Sequence, residues 1–146
     1  MKYILVSACL LGVNCRYDGK NNENAQVLAL QNREDITLIP VCPEQLGGLS
    51  TPRPPAERVG DRVMNNLQEN VTVQYHKGAA EALRLAKLYG CNVAILKERS
   101  PSCGCCGIYD GTFTHTLTSG QGVAAQLLTR EGILVLGESD TERINI

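Results

Sequence analysis

Seven cysteines in 146 residues, at positions 9, 15, 42, 91, 103, 105 and 106, are the feature of this sequence that calls for chemistry. An odd number is a poor disulfide framework. The apolar run that starts the chain, Ile4 to Ala8, is too short for a signal-peptide core. No apolar run approaches the roughly 20 residues that a membrane span needs. The expectation is a cytoplasmic protein whose thiols stay reduced, so metal binding or thiolate chemistry is the default. Free cysteine is also a common core residue, which leaves three or four of the seven for function and the rest for packing. A formal charge of −1 argues against a nucleic-acid-binding face, and one Phe with no Trp argues against base-stacking platforms. Neither a nucleic acid nor a membrane is expected as a partner.

The elements that position these thiols follow from hydrophobic pattern. Tyr3 to Ala8, Thr37 to Cys42, Val93 to Leu96 and Ile133 to Leu136 are continuous apolar runs, the signature of strands covered on both faces. Ala79 to Tyr89 has a helical stripe closed by Gly90, and Val123 to Arg130 is a second helix. Asn22 to Asn32 is a weaker helical segment. Arg58 to Tyr75 is ambiguous and reads as a short hairpin with Val71 to Val73 in one arm. Alternating strands and helices predict an α/β fold over residues 1–146 as one domain, a three-layer, Rossmann-like arrangement of a mostly parallel sheet between helices.

Ligands of such sheets sit beyond the carboxyl ends of the strands. Cys9, Cys42 and Cys103 each fall past a predicted strand end, so topology would gather them on one rim. Glycines in the loops they head would let backbone approach a bulky ligand. Zinc sites usually show ligand pairs at short spacing, and the sole close set here is Cys103, Cys105 and Cys106. His76 and His115 belong to no ligand motif. A structural zinc module using Cys103, Cys105, Cys106 and one distant cysteine is therefore one alternative. Three thiolates from three loops suit an iron–sulfur cluster better. A cubane with three protein ligands keeps one iron open for Lewis-acid chemistry.

S-A-C-L-L-G at Ser7 to Gly12, R-Y-D-G at Arg16 to Gly19, C-P-E at Cys42 to Glu44, T-P-R at Thr51 to Arg53, K-E-R-S-P-S-C-G at Lys97 to Gly104 and Y-D-G-T-F at Tyr109 to Phe113 occur together. Over nearly its whole length the chain resembles the short, single-domain form of the bacterial family of thiouracil desulfidases (TudS-like proteins, domain of unknown function 523). The resemblance implies a [4Fe-4S] cluster held by Cys9, Cys42 and Cys103, with one iron open to the sulfur of a thiolated pyrimidine or similar thioamide. It implies non-redox, hydrolytic desulfuration, in which hydrosulfide leaves and water supplies the oxygen. Glu44 and Ser100 are carried over as the acid–base and hydrogen-bonding residues. Cys15, Cys105 and Cys106 lie outside the three-cysteine pattern and are left for a fourth ligand or a sulfur-accepting thiol.

The residues support these roles on their own chemistry. Glu44 is the carboxylate nearest a candidate ligand, although an acid in a turn is often merely solvated. Arg16 and Asp18 could reach a pocket from the Cys9 loop, though Asp-Gly is first a turn signal. Lys97 and Ser102 are candidate substrate contacts, while Lys97, Glu98 and Arg99 read equally as an ion-pair cluster. Gly120 to Ala125 fits a dinucleotide fingerprint, with Glu138 downstream. Its position near the C-terminus, behind the polar stretch Thr112 to Thr118, makes a tight turn the better reading. The helix it opens could hold an anion at most.

Overall fold

The computed structural model describes residues 1–145. In chain order the elements are β1 (Lys2–Ser7), α1 (Ala25–Ala29), β2 (Ile36–Val41), α2 (Pro43–Leu46), β3 (Ala56–Val59), β4 (Arg62–Asn65), α3 (Thr72–Tyr89), β5 (Val93–Leu96), β6 (Gly107–Tyr109), β7 (Leu117–Ser119), α4 (Val123–Arg130) and β8 (Leu134–Gly137). A four-stranded sheet runs in the order β2-β1-β5-β8, all parallel, and two small antiparallel hairpins, β3–β4 and β6–β7, stand outside it.

Both faces of the sheet are covered, as its unbroken apolar runs require. Leu5, Ala94 and Leu96 face Ala82 and Ala86 of α3 and Ala125 and Leu128 of α4. Ile4, Val6 and Ile95 point the other way, onto Val27 of α1 and Ile144 of the C-terminal 3-10 segment. Asn24 caps α1, its side-chain oxygen accepting the Val27 N–H at 3.0 Å. Small residues along α3 let it lie close to the sheet.

One segment differs from the expectation. The hairpin is Ala56–Asn65, and α3 begins at Thr72, so Val71 to Val73 lie in no strand. In a strand those two valines would share a face, whereas on a helix they point apart. Val71 seals the core and Val73 is exposed. Cys91 follows α3 and is buried beside Ala86 and Ala94, a packing residue as expected.

Candidate active site

The chain passes from β1 to β2 on one side, then crosses to β5 on the other. The crevice between the carboxyl ends of β1 and β5 is thus the topological switch point. There the Lys97 N–H donates to the Ser7 hydroxyl across the two strand ends at 2.9 Å. A cavity of about 710 Å³ opens on this rim, and Cys9, Cys15, Cys42 and Cys103 all line it. Cys9 follows β1 in a 3-10 turn, Cys42 links β2 to α2, and Cys103 lies in the loop after β5.

The thiols form a connected set. The Cys42 thiol donates to the Cys15 carbonyl at 3.8 Å, and hydrogen bonding from the Cys15 side chain is the main cause that lowers the Cys9 thiol to about 7. Asn22 and Lys97 lower it further, while burial and the Glu44 charge oppose them. Cys42 is lowered for the same leading reason. Burial pushes Cys103 well up, with the Ser7 hydroxyl bonded to its sulfur in partial compensation. Among the described residues, no three His, Cys, Asp or Glu side chains close on the position of a single ion. Soft donors from three strand ends, spread round an open volume, are a donor set that fits a multi-iron cluster better than a lone zinc.

The opposite wall is polar. Glu44 sits in the first turn of α2, one residue beyond Pro43, and burial raises its carboxyl pKa against the opposing pull of Arg53. The Arg53 Nη2 donates to Glu44 Oε2 at 3.4 Å and to the Cys15 carbonyl at 3.0 Å, tying the carboxylate to the thiol loop. Tyr75 of α3 completes this wall. Its approach depends on two glycines. A Cβ on Gly78 would overlap the Pro43 carbonyl, and one on Gly47 would overlap the Gln74 carbonyl, so α2 and α3 meet backbone to backbone.

Of the residues singled out from sequence, Cys9, Cys42, Cys103, Glu44, Ser100, Arg16 and Lys97 all line the cavity. The Ser100 hydroxyl oxygen accepts the N–H groups of Ser102 and Cys103 at 3.1 and 3.0 Å, shaping the turn that carries Cys103. Lys97 pairs with Glu138 at 3.1 Å. Asp18 and Ser102 are not brought into the lining. Asp18 clasps Arg16 instead, accepting from Nε and Nη2 at 2.7 and 2.8 Å, and this pairing holds its carboxyl down at about 2. Ser102 is fully buried, its hydroxyl without a partner among the described residues and its carbonyl accepting the Ala124 and Ala125 N–H groups.

That contact also settles the glycine fingerprint. The first N–H groups of α4 are taken by the carbonyls of Pro101 and Ser102, and a Cβ on Gly122 would overlap Ser102. These glycines seat the Cys103 loop on α4, and loop carbonyls occupy the helix terminus expected to be open to an anion. Cys105 and Cys106 lie outside the cavity, their sulfurs 2.7 Å apart and Cys106 exposed. The fold parts them from the Cys103 site, against the zinc-module alternative.

Arg53, Tyr75 and Glu57 are among the cavity residues that sequence reasoning passed over. Glu57 accepts the N–H groups of Gly111 and Phe113 at 2.9 and 3.1 Å, which ties the loop that brings Phe113 and His115 into the lining. The signal for Arg53 was present in the T-P-R motif. Tyr75 carried none, because it closes the ambiguous stretch from Arg58, which reads as a hairpin and not as part of a helix.

Fold and site together define an α/β protein with a thiol-lined cavity at the switch point of a parallel sheet. Residues 4–140 match the model of the 2-thiouracil desulfurase family, and the chain belongs to that family. It is 41% identical to the uncharacterised protein YbbK of Bacillus subtilis, over 97% of this chain and 99% of that one. It also matches the solved structure of a [4Fe-4S]-dependent thiouracil desulfidase, TudS, with a TM-score of 0.91 and 40% identity, covering 99% of this chain and 96% of the other.

Proposed function

We propose that this chain, acting as one domain, is a desulfidase that replaces the sulfur of a thiouracil-like thiocarbonyl by oxygen, with a [4Fe-4S] cluster held by Cys9, Cys42 and Cys103. The observation that carries this reading is the meeting of three thiols from three strand ends in one cavity, with the half-buried Glu44 carboxylate in the same lining. Bound there, the cluster supplies an iron without a protein ligand, a Lewis acid toward the C=S sulfur. Overall, C=S and water become C=O and hydrogen sulfide, with no net oxidation or reduction.

The protein's own residues handle water and protons. Glu44, held by Arg53, takes a proton from the attacking water and returns it to the departing sulfur. Its raised pKa suits it to both transfers. Ser100 uses its oxygen to accept two backbone N–H groups, which leaves its own O–H free to donate into the cavity. Arg16 and Lys97 present positive charge to the polar edge of the substrate, with Asp18 fixing Arg16. Ser102 acts from beneath, as a support of the Cys103 loop. A reducing cytoplasm suits seven free thiols.

The test is anaerobic incubation of the iron-loaded protein with 2-thiouracil, measuring sulfide and uracil together. Equimolar release of both is the expected result. Uracil without sulfide, or neither product, would overturn the assignment.

A further inference from the structure

Tyr75 is a buried phenol without a use in the chemistry above. It is only 3% exposed, yet it lines the thiol cavity. No hydrogen bond from any described residue reaches its hydroxyl. The charges it feels are those of the cavity: after burial, Glu44 raises its pKa, Arg53 lowers it, and Cys103 and Cys42 raise it. The group therefore stays protonated at neutral pH, on the wall of the thiol cavity. The Gly47–Gly78 contact fixes it there, since α3 cannot withdraw without opening the backbone seam with α2.

The Tyr75 hydroxyl opens onto the cavity and makes no bond to a described residue, so its O–H is free to donate to whatever occupies that space. We propose that Tyr75 donates a hydrogen bond to the ring carbonyl of the substrate, holding a cyclic thioamide in plane while its sulfur faces the three cysteines. The inference rests on the desulfidase reading and adds a specificity to it. The preferred substrates are rings that carry a second carbonyl besides the C=S group. Tyr75 acts by touching that oxygen, and takes no part in the proton transfers of Glu44.

The test uses Tyr75→Phe, which removes the hydroxyl and keeps the ring that packs α3. Uracil and pyrimidin-2-one, which lacks the second carbonyl, are titrated calorimetrically into iron-loaded parent and variant, alongside sulfide release from 2-thiouracil. Loss of one neutral hydrogen bond should weaken uracil by about 3- to 10-fold and leave pyrimidin-2-one within about 2-fold. The iron content should not change. Equal weakening of both ligands, or of neither, would overturn the contact. So would loss of iron, which would make Tyr75 a support of the cluster loops. A parent that releases no sulfide from 2-thiouracil brings down the desulfidase reading and this inference with it. An active parent with an unselective variant brings down the inference alone.

Discussion

Two groups of thiols occupy this molecule, and their difference shows how the site is made. Cys103, Cys105 and Cys106 are near neighbours in sequence, yet the fold separates them: Cys103 is buried in the cavity, and Cys105 and Cys106 face one another outside it. Cys9, Cys42 and Cys103 are distant in sequence and share one cavity, because each follows a strand of the same parallel sheet. The inner group has carboxylates, cations and phenols around it. At the outer pair, burial and the hydrogen bond with Cys106 push Cys105 up to about 12. Topology, rather than spacing, assembles the reactive set.

The comparison is broken most severely through the acids. Glu44→Gln should keep its iron and lose about 10²–10⁴ in desulfuration rate. Glu98→Gln, whose carboxylate already accepts the Ser139 N–H and hydroxyl, should stay near the parental rate. Matched single-turnover assays decide between them, and parental turnover by the Glu44 variant would reduce that residue to a turn. Next in size is the seam that presents the inner wall. Gly78→Ala forces a methyl against the Pro43 carbonyl and should cost about 1–3 kcal/mol. That lowers the melting temperature by about 3–10 °C. Cys106→Ser on the exposed outer pair should change stability by less than about 0.5 kcal/mol.

Sequence made the scaffold legible because strands covered on both faces leave unbroken apolar runs, as in Ile4–Val6 and Val93–Leu96. It also showed the three cysteines, since a strand end is a place that can be read locally. What it hid depends on contacts between distant segments. Arg53 joins the site by reaching Glu44 and the Cys15 carbonyl from a separate turn. Tyr75 enters it because two glycines in different helices meet. Ser102 carries the polar side chain of a pocket residue, but the turn capped by Ser100 directs it under α4. The start of α3 was obscured by two β-branched residues whose faces become distinguishable only when their burial is known.

The smallest effect lies at the rim. Asp18 should titrate near pH 2 by NMR, below the ordinary 3.8, because the Arg16 guanidinium favours its charged form. A lowered folded-state value means that its contribution is present above 3.8 and fades as pH falls through 2. Arg16→Ala should return the midpoint toward 3.8, and an unchanged midpoint would show that the clasp does not persist in solution.

The central claim is that three strand ends supply one ligand set, and iron content tests it most directly. Parent and single serine variants at each of Cys9, Cys42, Cys103, Cys15, Cys105 and Cys106 would be reconstituted anaerobically and assayed for iron and acid-labile sulfide. The account predicts that Cys9→Ser, Cys42→Ser and Cys103→Ser each lose the cluster, and that Cys15→Ser, Cys105→Ser and Cys106→Ser retain it. Full iron in any of the first three, or its loss from any of the last three, would contradict the account.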